Sequence, residues 1–369
     1  MTPLEAEIRQ AIAIDGPMPV ARFMALCLGH PVHGYYVTRD PFGAGGDFIT
    51  APETSQMFGE IIGLWAAAVW AAMGAPPVRL IELGPGRGTL MADALRAARV
   101  VPGFRAALSI DLIETSPVLR QRQQQALAGL DRPLAWYRDL DEVPPGPAIV
   151  IANEFFDALP VRQAVRAADG WHERMVGVDR SGALAFGLAP EPIADFARLA
   201  PGLAQAPPGT VFEWRPDHLV VALARRLARD GGAALIIDYG HAVSAVGDTL
   251  QAVGAHAAAD PLARPGEIDL TAHVDFAALG AAARLGGARW HGLLSQGQFL
   301  HRLGIAARAD RLKAAASPAQ VAAIDAAVQR LTGPAPGMGE LFKVAAVAHP
   351  AIPALPGFEV AAAAGKEIR

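Results

Sequence analysis

The sequence has little cysteine, little charge and no long apolar run, and each shortage excludes a class of protein. Its 369 residues include one cysteine, Cys27, which cannot build an intramolecular disulfide framework or a cysteine-rich zinc site. Charged residues make up 18% of the chain and the net charge is −4, which argues against a strongly electrostatic nucleic-acid binder. The longest apolar run, Ile61 to Ala72, is too short to span a bilayer.

What is present indicates a well-packed protein of one large or two ordinary domains. Hydrophobic residues supply 52% of the chain, which is enough for a substantial core and argues against global disorder. The amino terminus lacks a basic start and a continuous apolar segment, so we expect no secretory signal and a cytoplasmic location. His30 and His33 are the closest histidine pair, but no third ligand is near in sequence. We therefore expect no metal site.

From residue 78 onward, apolar strands alternate with helices, which is typical of a parallel sheet covered on both faces. Residues 161–216 break this alternation with short runs and two turn signals, Asp169-Gly170 and Ser181-Gly182, and they predict an inserted antiparallel meander. The fold class predicted is therefore α/β and Rossmann-like. The predicted organisation is an N-terminal part with helices and a covering loop (1–75), a core (76–160 and 217–348), the meander (161–216), further insertions (242–275 and 300–335) and a flexible tail (350–369).

A glycine-rich turn, "GPGRG" at 84–88, follows the first strand of the core, "VRLIEL". The dinucleotide fingerprint needs a small residue at position 89, where Thr89 stands. Lysine followed by serine or threonine is also missing, so the turn is not a P-loop. Glu82 would repel a pyrophosphate but suits a cationic amine. The turn therefore favours S-adenosylmethionine over NAD, and an NAD-dependent oxidoreductase is kept as a rival interpretation.

Two further acids follow the next two strands, at the edge where parallel sheets bind their ligands. Glu114 can accept both ribose hydroxyls of a nucleoside. Asp139 can accept the adenine amino group while Leu140 backs the ring. The competing interpretation is that these acids are helix caps or surface residues.

The fourth strand ends in "ANEFFDALP" (152–160), which places polar groups beside an apolar wall. Glu154 and Asp157 are candidates for gripping a cationic methyl acceptor, with Asn153 beside them. The alternative is a polar helix start in which Asn153 is the N-cap and the two phenylalanines belong to the core. Asp238, in "IIDYGH", and Glu213, in "VFEWRPD", are further candidates at the same edge.

Several long motifs in fixed order resemble those of the MidA-type family, the bacterial relatives of the mitochondrial complex I assembly-factor protein arginine methyltransferase. The resemblance covers about residues 4–348. At 213–216 this chain reads "EWRP", whereas relatives usually carry an acid, an apolar residue, serine and proline, so Trp214 and Arg215 are a departure. The motifs are "GYYVTRDPFGAGGDFITAPETSQMFGE", "IELGPGRGTLMADALR", "IANEFFDALPVRQ", "LIIDYGH", "GDTLQAVGAH", "DLTAHVDF", "QGQFLHRLGI" and "MGELFKV".

The resemblance implies a class I methyltransferase with a seven-stranded, mostly parallel sheet that uses S-adenosylmethionine. It also implies arginine methylation of a partner protein, which we link to a respiratory complex I subunit, and we expect a homodimer without nucleic acid or membrane span. A non-catalytic S-adenosylmethionine-binding assembly chaperone and a small-molecule methyltransferase stay open as alternatives. The N-terminal loop residues Gly46, Asp47, Phe48, Thr50 and Pro52 are implied to cover the cofactor. With them, the predicted cofactor site comprises Glu82, Gly84, Pro85, Gly86, Gly88, Thr89, Glu114, Asp139, Leu140 and Asn153.

Overall fold

The computed structural model describes residues 1–39, 50–203, 205–254 and 257–359. Its N-terminal part packs beside the core. Thr2 caps the first helix by accepting a hydrogen bond from the Glu5 amide, with Pro3 at the first helical position, as the sequence predicts. The elements of this part are α1 (Pro3–Asp15), β1 (Met18–Pro19), α2 (Val20–Gly29), α3 (Tyr35–Thr38), α4 (Ala51–Thr54) and α5 (Gln56–Ala72).

The first half of the core alternates strands and helices. α5 crosses the first core helix so closely that a Cβ on Gly63 would lie 2.5 Å from the Cα of Ala94, so only glycine permits this packing. The helix over Pro117–Ala126 begins at Ser116, whose hydroxyl accepts from the Leu119 amide. The elements are β2 (Val78–Leu83), α6 (Thr89–Ala97), α7 (Pro102–Ala107), β3 (Leu108–Ile113), α8 (Pro117–Ala126), β4 (Leu134–Tyr137) and β5 (Ala148–Asn153).

The inserted segment forms an antiparallel sheet that also takes in a strand from the N-terminal part. Met18 of β1 lies opposite Val176 in this sheet, a pairing between residues far apart in sequence. The elements are β6 (Arg162–Arg166), β7 (Trp171–Val178), β8 (Leu184–Pro192), α9 (Phe196–Leu199) and β9 (Val211–Trp214). The strand order is β1-β7-β6-β9, with β8 paired to β7.

The second half completes the core and adds a small antiparallel sheet and three helices. The strands near residue 260 form the order β12-β11-β13. The elements are α10 (His218–Asp230), β10 (Gly232–His241), β11 (Gln251–Gly254), β12 (Ala257–Ala259), β13 (Asp269–Thr271), β14 (Val274–Asp275), α11 (Phe276–Leu285), β15 (Arg289–Ser295), α12 (Gln296–Arg302), α13 (Ile305–Lys313), α14 (Pro318–Thr332) and β16 (Phe342–Ala348).

Within the described residues, seven strands form the central sheet in the order β15-β16-β10-β5-β2-β3-β4, and β14 pairs with the end of β10. β16 is antiparallel to both of its neighbours, whereas the pairs from β10 to β4 are parallel. The predicted Rossmann-like α/β fold with a seven-stranded, mostly parallel sheet is confirmed. Because β2, β3, β4, β5 and β10 run in one direction, their carboxyl ends meet along a single edge, where ligands of such sheets bind.

The segment after the last strand differs from the flexible tail predicted for residues 350–369. Ile352 and Leu355 are buried against the core, and the Pro356 carbonyl accepts a hydrogen bond from the Trp65 indole at 3.1 Å. Apolar burial thus fixes residues 350–359, although their composition of alanine and proline gives no periodic signal. Residues 360–369 lie outside the described part. No helix within the described ranges is long and apolar enough to cross a membrane.

Candidate active site

A small cleft opens at the carboxyl edge of the sheet, between the glycine turn, the end of β5 and the short helix α4. The sequence predicts nine of its lining residues from three separate stretches of the chain, and the fold brings them together. Arg87 and Glu53, which were not predicted, also line it. The predicted lining residues are Thr50, Pro52, Glu82, Gly84, Pro85, Gly86, Thr89, Asn153 and Glu154.

Glu82, the second-last residue of β2, is a buried acid, with 3% of its surface exposed. Its Oε2 atom has no hydrogen-bond partner within the described chain. Desolvation raises the pKa of this carboxyl from 4.5 to about 8. An unpartnered buried carboxyl is costly to the free protein, and a cationic amine in the cleft would satisfy it.

The glycine turn takes a backbone path that non-glycine residues avoid. Gly84, Gly86 and Gly88 have φ angles of 62°, 54° and 85°, in the left-handed region. A Cβ on Gly84 would lie 2.9 Å from Cδ2 of Phe155. The Phe155 ring therefore packs directly over the first glycine and links the turn to the segment after β5. α6 begins immediately after this turn, and the amide groups at the start of a helix suit an anionic group of a ligand.

Replacing Gly84 by alanine is expected to weaken binding of S-adenosylhomocysteine roughly tenfold, because the added methyl meets Phe155 and the left-handed backbone costs about 1–2 kcal/mol. Gly129→Ala is the matched control, since Gly129 has a φ of 78° but no heavy atom within 4 Å of the place its added methyl would take. Titration calorimetry measures both affinities. If the two variants lost affinity equally, or if Gly84→Ala lost none, the contact between the added methyl group and Phe155 would not disturb ligand binding, and the prediction would be wrong.

Glu114 lies at the end of β3 and is buried. Its carboxylate accepts hydrogen bonds from the Ser116 amide at 2.7 Å and from Nε2 of Gln123 at 3.1 Å. Gln123 also donates to the Gly86 carbonyl at 2.7 Å and accepts from the Trp136 indole at 2.8 Å. Burial raises the pKa of Glu114 despite these donors. Gln123 thus ties the predicted ribose acid to the glycine turn, a link that no local sequence signal reveals.

Asp139 follows β4 and caps a short 3₁₀ turn over Leu140–Glu142. Its Oδ1 accepts from the amides of Asp141 and Glu142 at 2.8 and 3.2 Å. Asp139 therefore acts as a cap, the role that the sequence offered as the alternative to binding adenine. Its Oδ2 takes no part in these two hydrogen bonds. Leu140 is buried beneath this turn. Neither residue lines the small cleft, so the adenine contact stays a prediction.

Glu154 stands at the junction between β5 and the following turn, with a left-handed φ of 50°. Such a conformation in a non-glycine residue costs about 1–3 kcal/mol and persists where the surroundings enforce it. Its Oε1 accepts two long hydrogen bonds of 3.3 Å, from the Ala51 amide and from the Asn153 side chain. Desolvation, aided by the charge of Asp157, raises the pKa of Glu154 to about 7. The Asn153 Oδ1 atom is buried and unpartnered among the described residues.

Asp238 on β10 is fully buried and holds the turn that follows Glu154. Its Oδ2 accepts from the amides of Phe156 and Asp157 at 2.9 and 3.2 Å, and its Oδ1 accepts from the Tyr239 amide at 2.9 Å. Burial and the neighbouring charges of Asp157 and Glu154 raise the pKa of Asp238, against the effect of the amide donors. Asp157 is also buried, and its side chain is hydrogen bonded to Tyr239. Both acids support the turn and do not line the small cleft, so the catalytic role predicted for them stays a prediction.

Glu213 is placed elsewhere, on β9 of the inserted sheet. Its carboxylate accepts from the Gln163 side chain at 2.6 Å, from the amides of Thr249 and Leu250, and from the Thr249 hydroxyl. It lines a second, larger cleft of about 800 Å³. Phe156 and Leu159, from the turn after Glu154, line the same cleft. The hydrogen bonds of Glu213 therefore join the insert to the segment before β11.

Glu53 of α4 is a cleft residue that the sequence did not predict. Its Oε1 accepts from the Thr89 hydroxyl at 2.6 Å, and its Oε2 lies 3.9 Å from Nη1 of Arg87. These contacts bind α4 to the glycine turn, so Thr89 serves at least one contact inside the protein. Glu53 lies within a motif quoted above, but its partners are 34 and 36 residues away. Gly46, Asp47 and Phe48 lie outside the described residues.

These features fit S-adenosylmethionine. Glu82 and Asn153 offer buried unpartnered oxygens to the amine end, and the amino end of α6 suits the carboxylate. The left-handed glycine turn allows close backbone approach, and Glu114 at the next strand end suits the ribose.

Comparison with known proteins agrees with this geometry. The model of a family described as S-adenosyl-L-methionine-dependent methyltransferase matches residues 61–294. The mitochondrial protein arginine methyltransferase NDUFAF7 homolog of Drosophila melanogaster is 37% identical over 375 residues, covering 93% of this chain and 84% of its own. The human protein arginine methyltransferase NDUFAF7 is 36% identical over 342 residues, covering 84% of this chain and 75% of its own.

A solved structure is similar along nearly the whole chain. It is a protein from Burkholderia thailandensis crystallised with S-adenosyl-homocysteine, 33% identical, with a TM-score of 0.82, covering 97% of this chain and 93% of that one. The family and the solved structure agree with the cofactor predicted from the glycine turn, and the names of the relatives agree with methyl transfer. The chain belongs to the MidA-like family of S-adenosyl-L-methionine-dependent methyltransferases.

Proposed function

We propose that this methyltransferase modifies arginine nitrogens of a partner protein. The observation that carries the proposal is Glu154, a carboxyl that lines the small cleft between the glycine turn, β5 and α4, which we call the cofactor cleft from here on. It accepts only two long hydrogen bonds there, and its pKa is raised to about 7. Such a group gains from a cationic partner, because an opposite charge favours its ionised form. A planar guanidinium offers paired donors to a carboxylate. The names of the relatives, which are protein arginine methyltransferases, support the same substrate class.

Glu154 would act mainly by orientation. Arginine has a very high pKa in solution, so holding the guanidinium and localising its charge on the nitrogens turned to Glu154 matter more than bulk deprotonation. When bound, S-adenosylmethionine supplies a methyl group whose transfer to nitrogen leaves S-adenosylhomocysteine and one proton. In this proposal Glu154 receives that proton, and its pKa of about 7 suits a base at neutral pH. Phe155, which packs over Gly84, provides an apolar surface near it.

The decisive experiment compares methylarginine in cells with and without this protein by mass spectrometry. We expect methylated arginine peptides that disappear on deletion and return with the wild-type gene. Transfer of tritiated methyl groups from the cofactor into proteins of a deletion-strain lysate provides the matching test in vitro. Label found only in small molecules would favour the small-molecule methyltransferase, and no transfer would favour the assembly chaperone.

A link to respiratory complex I assembly is part of the proposal and rests on the resemblance alone. Identification of the labelled proteins tests it, since a complex I subunit should be among them. The cytoplasmic location and the homodimer expected from the sequence stay predictions.

A further inference from the structure

Arg215, which stands in the "EWRP" motif at 213–216, points its side chain inward, and its guanidinium is almost completely buried. Its guanidinium donates to four main-chain carbonyls. Nε bonds the Leu159 oxygen at 3.0 Å and Nη2 bonds the Asp157 oxygen at 3.1 Å. On the other side, Nη1 bonds the His273 oxygen at 2.7 Å and Nη2 also bonds the Ala272 oxygen at 2.8 Å. The residue therefore joins the turn after β5 to the segment between β13 and β14.

That turn is under strain and is held at both ends. Glu154 has its left-handed φ of 50° at the start, where its amide donates to the Ile237 carbonyl at 2.9 Å. Asp238 then binds the amides of Phe156 and Asp157. Arg215 donates hydrogen bonds to the carbonyls of Asp157 and Leu159 in the same turn. The carboxylate of Asp238 thus binds amides of the turn, and the guanidinium of Arg215 binds its carbonyls. A strained conformation needs such an over-determined environment.

We propose that Arg215 is a positioning residue for methyl transfer, which fixes the turn that presents Glu154 to the cofactor cleft. The inference rests on the proposed role of Glu154. Arg215 does not line the cofactor cleft, so its loss should alter the rate of transfer and not the affinity for cofactor. Lysine keeps the charge but cannot reproduce a planar fork that reaches four carbonyls.

The test compares Arg215→Ala and Arg215→Lys with Arg226→Ala. Arg226 is a matched control, because it is buried and its guanidinium also bonds main-chain carbonyls, those of Val143 and Pro144. These lie before β5, at the opposite edge of the sheet. Initial rates of tritium transfer into deletion-strain lysate at saturating cofactor, and affinities for S-adenosylhomocysteine, are measured for each variant.

We expect both Arg215 variants to lower the rate roughly 10- to 100-fold, since small displacements of a catalytic group have effects of this size, with unchanged cofactor affinity. Guanidinium chloride at a non-denaturing concentration should restore part of the Arg215→Ala rate, and sodium chloride of equal ionic strength should not. Arg226→Ala should lower the melting temperature without this loss of rate or its rescue. An unchanged rate in Arg215→Ala, or a loss of cofactor affinity equal to the loss of rate, would overturn the proposal.

Hydrogen exchange provides a measurement that needs no acceptor. The amides of Phe156 and Asp157 should exchange faster in Arg215→Ala than in the wild type and in Arg226→Ala. Unchanged exchange of these two amides would show that Arg215 does not hold the turn, even if protein methylation is established. Faster exchange with no methyl transfer by the wild type would instead count against the proposed function.

Discussion

Replacing Glu154 by glutamine is expected to reduce methyl transfer about 100-fold or more, the range for loss of a positioned acid or base, with affinity for S-adenosylhomocysteine within about threefold of the wild type. Glutamine keeps the shape of the side chain and the Glu154 main-chain contact to Ile237. It loses the negative charge that would hold a guanidinium and the basic oxygen that would receive a proton. Initial rates with tritiated cofactor and titration calorimetry measure the two quantities.

A matched variant separates this effect from a general loss of charge. Glu173 on β7 pairs with Arg162 at 2.7 Å and lines neither cleft, so Glu173→Gln removes one carboxylate outside both clefts and should retain activity. If Glu154→Gln transferred methyl groups at the wild-type rate, Glu154 would have no role in the reaction.

Glu82→Gln should weaken S-adenosylhomocysteine binding roughly 10- to 100-fold, which corresponds to the loss of a hydrogen bond to a charged group worth about 1.5–3 kcal/mol. In the wild type, a bound ammonium group favours the ionised carboxylate, so binding at pH 7 should release up to about one proton. Affinity should therefore increase with pH by up to about tenfold per unit below the pKa of about 8. Glu82→Gln should show neither effect.

The same carboxyl makes the ligand-free protein sensitive to alkali. Its pKa is raised on folding from 4.5 to about 8, so its contribution to stability is complete below pH 4.5 and is lost as the pH rises through 8. Glu82→Gln should therefore be more stable than the wild type at pH 9 without ligand. Calorimetry in buffers of different ionisation enthalpy and melting curves from pH 5 to 9 test both statements. Equal proton release by wild type and variant would assign the titration to another group.

The sequence predicts those parts of the site that depend on local rules. Parallel strands end at one edge, so the glycine turn, Glu82, Glu114 and Asn153-Glu154 could be assigned to a common region from the order of strands alone. The charge of Glu82 and the size of Thr89 were enough to prefer a cofactor with an amine over a dinucleotide. These inferences need only strand direction and the chemistry of single residues.

The remaining features depend on contacts between distant residues, which no local pattern encodes. Glu53 reaches Thr89 across 36 positions, and Gln123 reaches Gly86 across 37. The Arg215 side chain points inward because main-chain carbonyls of two distant segments, 157–159 and 272–273, accept its hydrogen bonds. The sequence alone indicated only that arginine is unusual at this position of the motif. Similarly, no local pattern shows that Asp238 and Asp157 hold the turn after Glu154 by hydrogen bonds, and their catalytic role stays a prediction.

The wall that α4 contributes to the cofactor cleft has a consequence for cooperativity. Glu53 and the Ala51 amide connect α4 to Thr89 and Glu154, so a ligand in the cleft touches two parts of the chain at once. Ligand that binds only when both parts are in place must increase the free energy needed to separate them. The bound cofactor is therefore expected to stabilise the packing of the N-terminal part against the core. Proteases should cleave the N-terminal part more slowly when S-adenosylhomocysteine is bound.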